Sequence, residues 1–126
     1  MKKIYYIICV LMVALFLNAC KKEAGPGGKN TISGTVLYKN GVTGNNDAAA
    51  MATVRIAYGT SEATESFNQT ILTDSDGKFK IEGLNKGKYF IKASYSDGNG
   101  FAYSNPGYGI TIENKKKTIE VSITLE

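Results

Sequence analysis

Between Thr73 and Tyr95 the chain reads Thr-Asp-Ser-Asp-Gly-Lys-Phe-Lys-Ile-Glu-Gly-Leu-Asn-Lys-Gly-Lys-Tyr-Phe-Ile-Lys-Ala-Ser-Tyr. No other stretch restricts the fold as much. Asp74-Ser75-Asp76-Gly77 is turn chemistry: Asp and Ser bond nearby backbone, and Gly supplies a left-handed residue. Phe79 and Ile81 then alternate with Lys78, Lys80 and Glu82, the period of a half-buried strand. Gly83-Leu84-Asn85-Lys86-Gly87 makes a second turn. Tyr89, Ile91, Ala93 and Tyr95 form the apolar side of a longer strand, opposite Lys88, Phe90, Lys92 and Ser94. Period two twice over, punctuated by glycine, directs this stretch into a sheet that buries one face.

The same pattern recurs on both sides. Ile32, Gly34, Val36 and Tyr38 predict a first strand, and Val54, Ile56 and Tyr58 lie on one side of a second over 53–60. Phe67, Gln69, Ile71 and Thr73 make a third, leading into the Asp-Ser-Asp-Gly turn. Ile110 and Ile112 mark a strand within 107–113. Ile119, Val121, Ile123 and Leu125 close the chain with clean alternation. Residues 39–52 read as a long connection; Ala48 to Ala52 favours a helical turn but is too short to hold a helix alone. Seven short strands without a persuasive helix predict an all-β domain, two antiparallel sheets packed face to face. The 14 glycines and the absence of tryptophan among 126 residues suit one small, turn-rich domain.

The absence of histidine removes Ser-His-Asp and Cys-His catalysis and the commonest zinc ligand. No Gly-x-Ser-x-Gly elbow activates Ser61, Ser66 or Thr70. Glu62 and Glu65 form a carboxylate pair in a polar loop, without an aromatic-rich cleft of the kind a glycosidase needs. Asp74-x-Asp76-Gly77 invites a calcium reading, but counting back from the glycine puts Leu72 at the first ligand position, so the loop fails as an EF-hand. No metal or cofactor site is expected. The formal charge of +4 falls to +2 when counted from Cys20 onward, with basic residues scattered and Arg55 the only arginine. That is too weak a field to argue for nucleic acid.

The N-terminus has a different logic. Lys2 and Lys3 precede an uncharged apolar run from Ile4 to Leu17, 14 residues long. A permanent span needs about 20, so the layout is that of a secretory signal. Its end, Leu17-Asn18-Ala19-Cys20, resembles the lipobox of bacterial lipoproteins, with Asn18 where a smaller residue is more usual. The resemblance implies cleavage before Cys20, a diacylglyceryl thioether and further acylation on that residue, and membrane attachment in the cell envelope, at the outer membrane. On this reading residues 1–19 are a signal peptide and 20–30, rich in Gly and charge, a flexible tether. Lys21-Lys22-Glu23 looks like the surface-export signals of some Gram-negative lipoproteins; a solvated linker is the competing reading. With Cys9 in the signal, the mature chain has one cysteine and no internal disulfide.

The order of motifs within 31–126 resembles the carboxypeptidase regulatory-like domain. Ile32-Ser33-Gly34-Thr35-Val36 opens it. Val54-Arg55-Ile56 follows after a long loop, then Thr73 to Phe79, Gly83-Leu84 and Gly87-Lys88-Tyr89. The resemblance implies a prealbumin-like, seven-stranded Greek-key β-sandwich. It also implies a structural or binding role, because this domain type is non-catalytic in the peptidases that bear it.

The stretch of unusual composition is Tyr95 to Tyr108. It sets Tyr95, Phe101, Tyr103 and Tyr108 among Asn105, Asp97 and several glycines. Aromatic rings and amides on loops can stack on a sugar or grip a peptide. The competing reading has the same rings covering the end of a core that lacks tryptophan. The sequence thus points to a lipid-anchored, non-catalytic binding or structural module with a protein or glycan ligand. A glycan-binding accessory of nutrient uptake is the first alternative, and an enzyme the second.

Overall fold

The computed structural model describes residues 23–98, 100–113 and 116–126. The expected signal peptide 1–19 and the lipid attachment at Cys20 lie outside the described residues. Nine strands and no helix are found among them: β1 (Pro26–Lys39), β2 (Asn46–Ala48), β3 (Thr53–Tyr58), β4 (Gln69–Leu72), β5 (Lys78–Leu84), β6 (Gly87–Ser96), β7 (Ala102–Ser104), β8 (Tyr108–Ile112) and β9 (Thr118–Leu125). The count exceeds the expected seven by β2 and β7. Both are three-residue pieces: β2 lies within 39–52, which reads as a long connection, and β7 within 101–106, which reads as extended chain without the alternation of a strand. Backbone pairing with a longer neighbour, not local propensity, makes them strands.

The first sheet is centred on β1, which pairs β2 and β5 antiparallel and β9 parallel. Purely antiparallel sheets were expected, and β1–β9 is the departure. Parallel neighbours need a long crossover, and here most of the domain supplies it. The tether expectation also fails at its second half. Pro26 and Asn30 both pair with Leu84 across a bulge, so β1 begins inside the stretch read as tether. The glycines there serve close approach. A Cβ on Gly28 would stand 2.2 Å from the Leu84 carbonyl oxygen, which only a glycine avoids.

The second sheet runs β4-β3-β6, and β6 then pairs β7 along its C-terminal end and β8 along its N-terminal end. Ile32, Val36, Ile81, Ile123 and Leu125 of the first sheet share one core with Val54, Ile56, Tyr89, Ile91 and Ile112 of the second. The alternation predicts these faces. It misplaces Phe90, set by parity on the polar side. Phe90 is only 3% exposed because Phe67, from the loop after β3, stacks over it with ring centroids 6.5 Å apart. That loop covers one end of the outer face, and its Ser61 carbonyl lies 2.2 Å from where a Cβ on Gly109 would be.

Tyr89 ties the N-terminal segment to this core. Its hydroxyl donates to the Asn85 carbonyl at 2.6 Å and accepts the Gly25 N–H at 2.8 Å. Asn85 in turn donates its backbone N–H to Gly25 O at 2.8 Å and its side-chain amide to Pro26 O at 2.9 Å. Burial pushes the Tyr89 phenol above its ordinary value, against the Gly25 bond, which lowers it. Burial raises Tyr58 and Tyr108 likewise. The unfolded chain ionises near pH ~10 and the folded chain higher. The phenols' contribution to stability is therefore fully present below pH ~10 and falls as pH climbs toward the folded value. Urea midpoints measured up to about pH 11 should show this loss, and Tyr89→Phe should make it shallower. A flat profile would contradict the buried phenol.

Candidate functional site

In the turn after β4, Asp74 holds the backbone of the turn itself. Asp74 Oδ1 accepts the backbone N–H groups of Asp76 and Lys78, each at 2.9 Å. Gly77 takes the left-handed conformation, with φ of 74°. Among the described residues no cluster of three His, Cys, Asp or Glu side chains converges. Glu65 pairs with Lys92 at 3.1 Å, and its nominal mate Glu62 is exposed.

The aromatic stretch divides among several surroundings. Tyr95 and Tyr103 face each other across β6 and β7 and pack with Tyr38 of β1. Ring centroids are 4.7 Å apart for Tyr38–Tyr95, 5.0 Å for Tyr38–Tyr103 and 6.3 Å for Tyr95–Tyr103. Tyr103 is 7% exposed, and its hydroxyl accepts the Gly41 N–H at 3.2 Å. Burial, then the Tyr95 phenol, hold the Tyr38 hydroxyl above its ordinary value. This trio closes the end of the core. Asn105 is buried too. Its Oδ1 accepts the Ala93 N–H at 2.9 Å, at the point where β6 changes partner from β7 to β8. The Tyr108 hydroxyl donates to Ser122 O at 2.8 Å and bridges the two sheets. Phe101 alone of the five is half exposed, at 50%. Tyr38, far away in sequence, is the partner that loop composition does not reveal.

Two open troughs lie on the outer faces of the sheets. The first, about 660 Å³, runs over β5, β1 and β9. Short Ser33 and Thr35 on the central strand form its floor; Lys78 and Lys80 stand on one bank, Glu120 and Ser122 on the other. Its charges are mixed in sign, and Lys80 is paired with Glu82 at 3.5 Å.

The second trough, about 440 Å³, lies at the β7 end of the other sheet and is lined by Met51, Thr53, Ser94, Ser96, Ala102 and Ser104, with Tyr95 and Tyr103 between the last four along the strands. Thr53, Ser94 and Ser104 are in register across β3, β6 and β7, and Leu72 of β4 continues the row. Met51 at 65% and Leu72 at 53% are among the most exposed large apolar side chains described, and Phe101 adjoins Ala102. Met51 is also the one non-glycine residue with positive φ among those described, at 57°. Strain of this kind costs on the order of 1 kcal/mol and persists where the surroundings impose it. Here Thr73, 1% exposed, imposes it. Its hydroxyl donates to Ala49 O and accepts the Ala52 N–H, and its carbonyl accepts the Met51 N–H at 3.3 Å.

No protein-family model and no curated protein sequence matches the chain. Among solved structures it is similar to a candidate carbohydrate-binding protein from Pseudomonas aeruginosa, with a TM-score of 0.53 and 14% identity over 85% of this chain and 93% of that one. It is also similar to two DUF3823 family proteins, from Bacteroides uniformis and Parabacteroides merdae. Their TM-scores are 0.42 and 0.41 at 17% and 20% identity, over 78% and 79% of this chain. The chain spans less than half the length of those two, 43% and 46%. The first likeness is one of all-β fold.

Proposed function

We propose that the chain is a non-catalytic β-sandwich binding module of the cell envelope, prealbumin-like and anchored through a lipid on Cys20, that holds a neutral glycan in the trough over β3, β6 and β7. The observation that carries the glycan reading is the pairing of hydroxyls with exposed apolar groups. Thr53, Ser94, Ser96 and Ser104 line a floor of short side chains, while Met51 lines the trough, Leu72 continues the row beside Thr53, and the exposed Phe101 precedes Ala102 in the chain. A sugar ring presents the complementary surface, hydroxyls at its edge and C–H groups on its faces. The mixed charges of the other trough suit solvent better. The Pseudomonas aeruginosa protein, a candidate carbohydrate binder, has a similar fold, which agrees with the reading. The ligand surface thus stays next to the aromatic stretch, but Tyr103 and Asn105 support it from below, and Phe101 is the ring free to touch a ligand.

A glycan array probed with the detergent-purified protein tests this. Binding to neutral oligosaccharides is expected. Ser94→Tyr, which fills the trough from an exposed strand position, should abolish it with little change in melting temperature. Phe101→Ala should weaken it several-fold, about 1 kcal/mol for one ring contact. Binding that survives Ser94→Tyr would move the ligand elsewhere, and a silent array would remove the glycan reading.

A further inference from the structure

The anchor and the fold together orient the domain. The hydrogen bonds from Tyr89 and Asn85 fix the chain from Gly25 onward. Four residues, 21–24, then separate the acylated position, Cys20, from Gly25. Fully extended, the five steps from residue 20 to residue 25 reach roughly 17 Å, less than the length of the domain's own longer strands. The end of the domain where β1 begins must therefore lie close to the bilayer.

That end has its own charge. Lys29 at the start of β1, Lys86 in the β5–β6 turn, Lys88 at the start of β6, and Lys116 and Lys117 before β9 are all exposed there. Thr31 donates its N–H to Lys117 O at 2.8 Å, which brings the last of these beside β1. The described carboxylates at the same end are Glu23, Glu62, Glu82 and Glu113, four against six lysines once Lys80, the partner of Glu82 at 3.5 Å, is counted with them. The opposite end reverses the balance: Asp47, Asp74, Asp76, Asp97 and Glu126 stand against Lys39 and Lys78. The domain is thus polarised along its length, lysine-rich where the tether enters and carboxylate-rich at the far end.

We infer that the lysine-rich end rests on the anionic phospholipid headgroups of the membrane that holds the anchor, which turns the glycan trough toward solution. The inference rests on the anchor assigned to Cys20 but not on the glycan reading. Charge complementarity selects the occupant, since lysines within a Debye length of about 10 Å are attracted to an anionic surface and the far end is repelled. The trough lies at the far end, because Met51, Ser96 and Ala102 border it.

The experiment uses the full-length, processed protein reconstituted into vesicles of phosphatidylcholine, alone or mixed with phosphatidylglycerol. A fluorophore is attached at Thr118→Cys, beside the lysines, or at Val42→Cys, in the exposed far loop. Quenching by a headgroup nitroxide is expected to be several-fold stronger at 118 than at 42 in the anionic vesicles. The difference should shrink in neutral vesicles and at high salt. Lys86→Glu/Lys88→Glu/Lys117→Glu should abolish the dependence on anionic lipid. These are exposed positions, so melting should not change. Equal quenching at the two positions in anionic vesicles, or no response to lipid charge, overturns the orientation while leaving the anchor standing. A Cys20→Ser chain that is still processed and retained in the membrane overturns the anchor, and the orientation with it.

Discussion

Tyr103→Ala is expected to lower the free energy of unfolding by about 3 kcal/mol in urea melts. The ring is 7% exposed and lies against Tyr38 and Tyr95. Truncation removes the apolar area of a whole phenol and leaves a void, because β1 and β6 are held by their ladders and cannot collapse into it. It also removes the acceptor for the Gly41 N–H. Tyr103→Phe separates the two contributions, since only the hydrogen bond goes; a loss of about 1 kcal/mol is expected. If Tyr103 were a ligand-stacking ring on an open loop, Ala would weaken binding and leave the melt nearly unchanged. A loss below about 0.5 kcal/mol, the size of an ordinary surface substitution, would restore that reading.

The contrast shows what the sequence could disclose. Alternation assigned Val54, Ile56, Tyr89, Ile91 and Ala93 to the buried face, because period two is a property of the strand itself. It failed where burial depends on something arriving from elsewhere. Phe90 is buried by Phe67, which alternation sets at the start of the third strand but which lies in the loop before β4. Tyr103 belongs to the core because Tyr38 meets it, and nothing local to 95–108 announces that partner. Asn105 has the composition of a ligand contact, yet its carbonyl oxygen is spent on the Ala93 N–H. Glycine was ambiguous in the same way. Gly27 and Gly28 signal a flexible tether by composition, whereas Gly28 is where the Leu84 backbone crosses closest. The trough escaped sequence reading for the opposite reason. Ser94, Ser96 and Ser104 are unremarkable solvent-side residues until register lays them side by side with Thr53.

Gly77→Ala should cost roughly 3 kcal/mol, and Gly44→Ala about 1 kcal/mol. The pair is matched in conformation: both glycines have φ of 74°. An alanine at either position bears the same left-handed penalty, of order 1 kcal/mol. Their surroundings differ. A Cβ on Gly44 meets nothing within 4 Å. On Gly77 it would stand 2.5 Å from the Val36 carbonyl oxygen and 3.1 Å from the Ala49 nitrogen. Both obstacles are backbone, so no rotamer change relieves them. They are also fixed to one another, since Ala49 donates to Val36 O at 2.9 Å, while the Val36 N–H donates to Gly77 O at 2.7 Å. Relief requires β5 to withdraw from β1 at the place where β1 changes partner from β5 to β2, and one or both of those bonds must lengthen. The excess of Gly77→Ala over Gly44→Ala is the cost of that collision. Ser75→Ala, exposed within the same turn, should change stability by no more than about 0.5 kcal/mol. Equal losses at Gly77 and Gly44 would mean that the turn stands clear of β1. The tight crossing of 77 over 36 would then be wrong, and with it the junction between β5 and β2 on which the register of the first sheet depends.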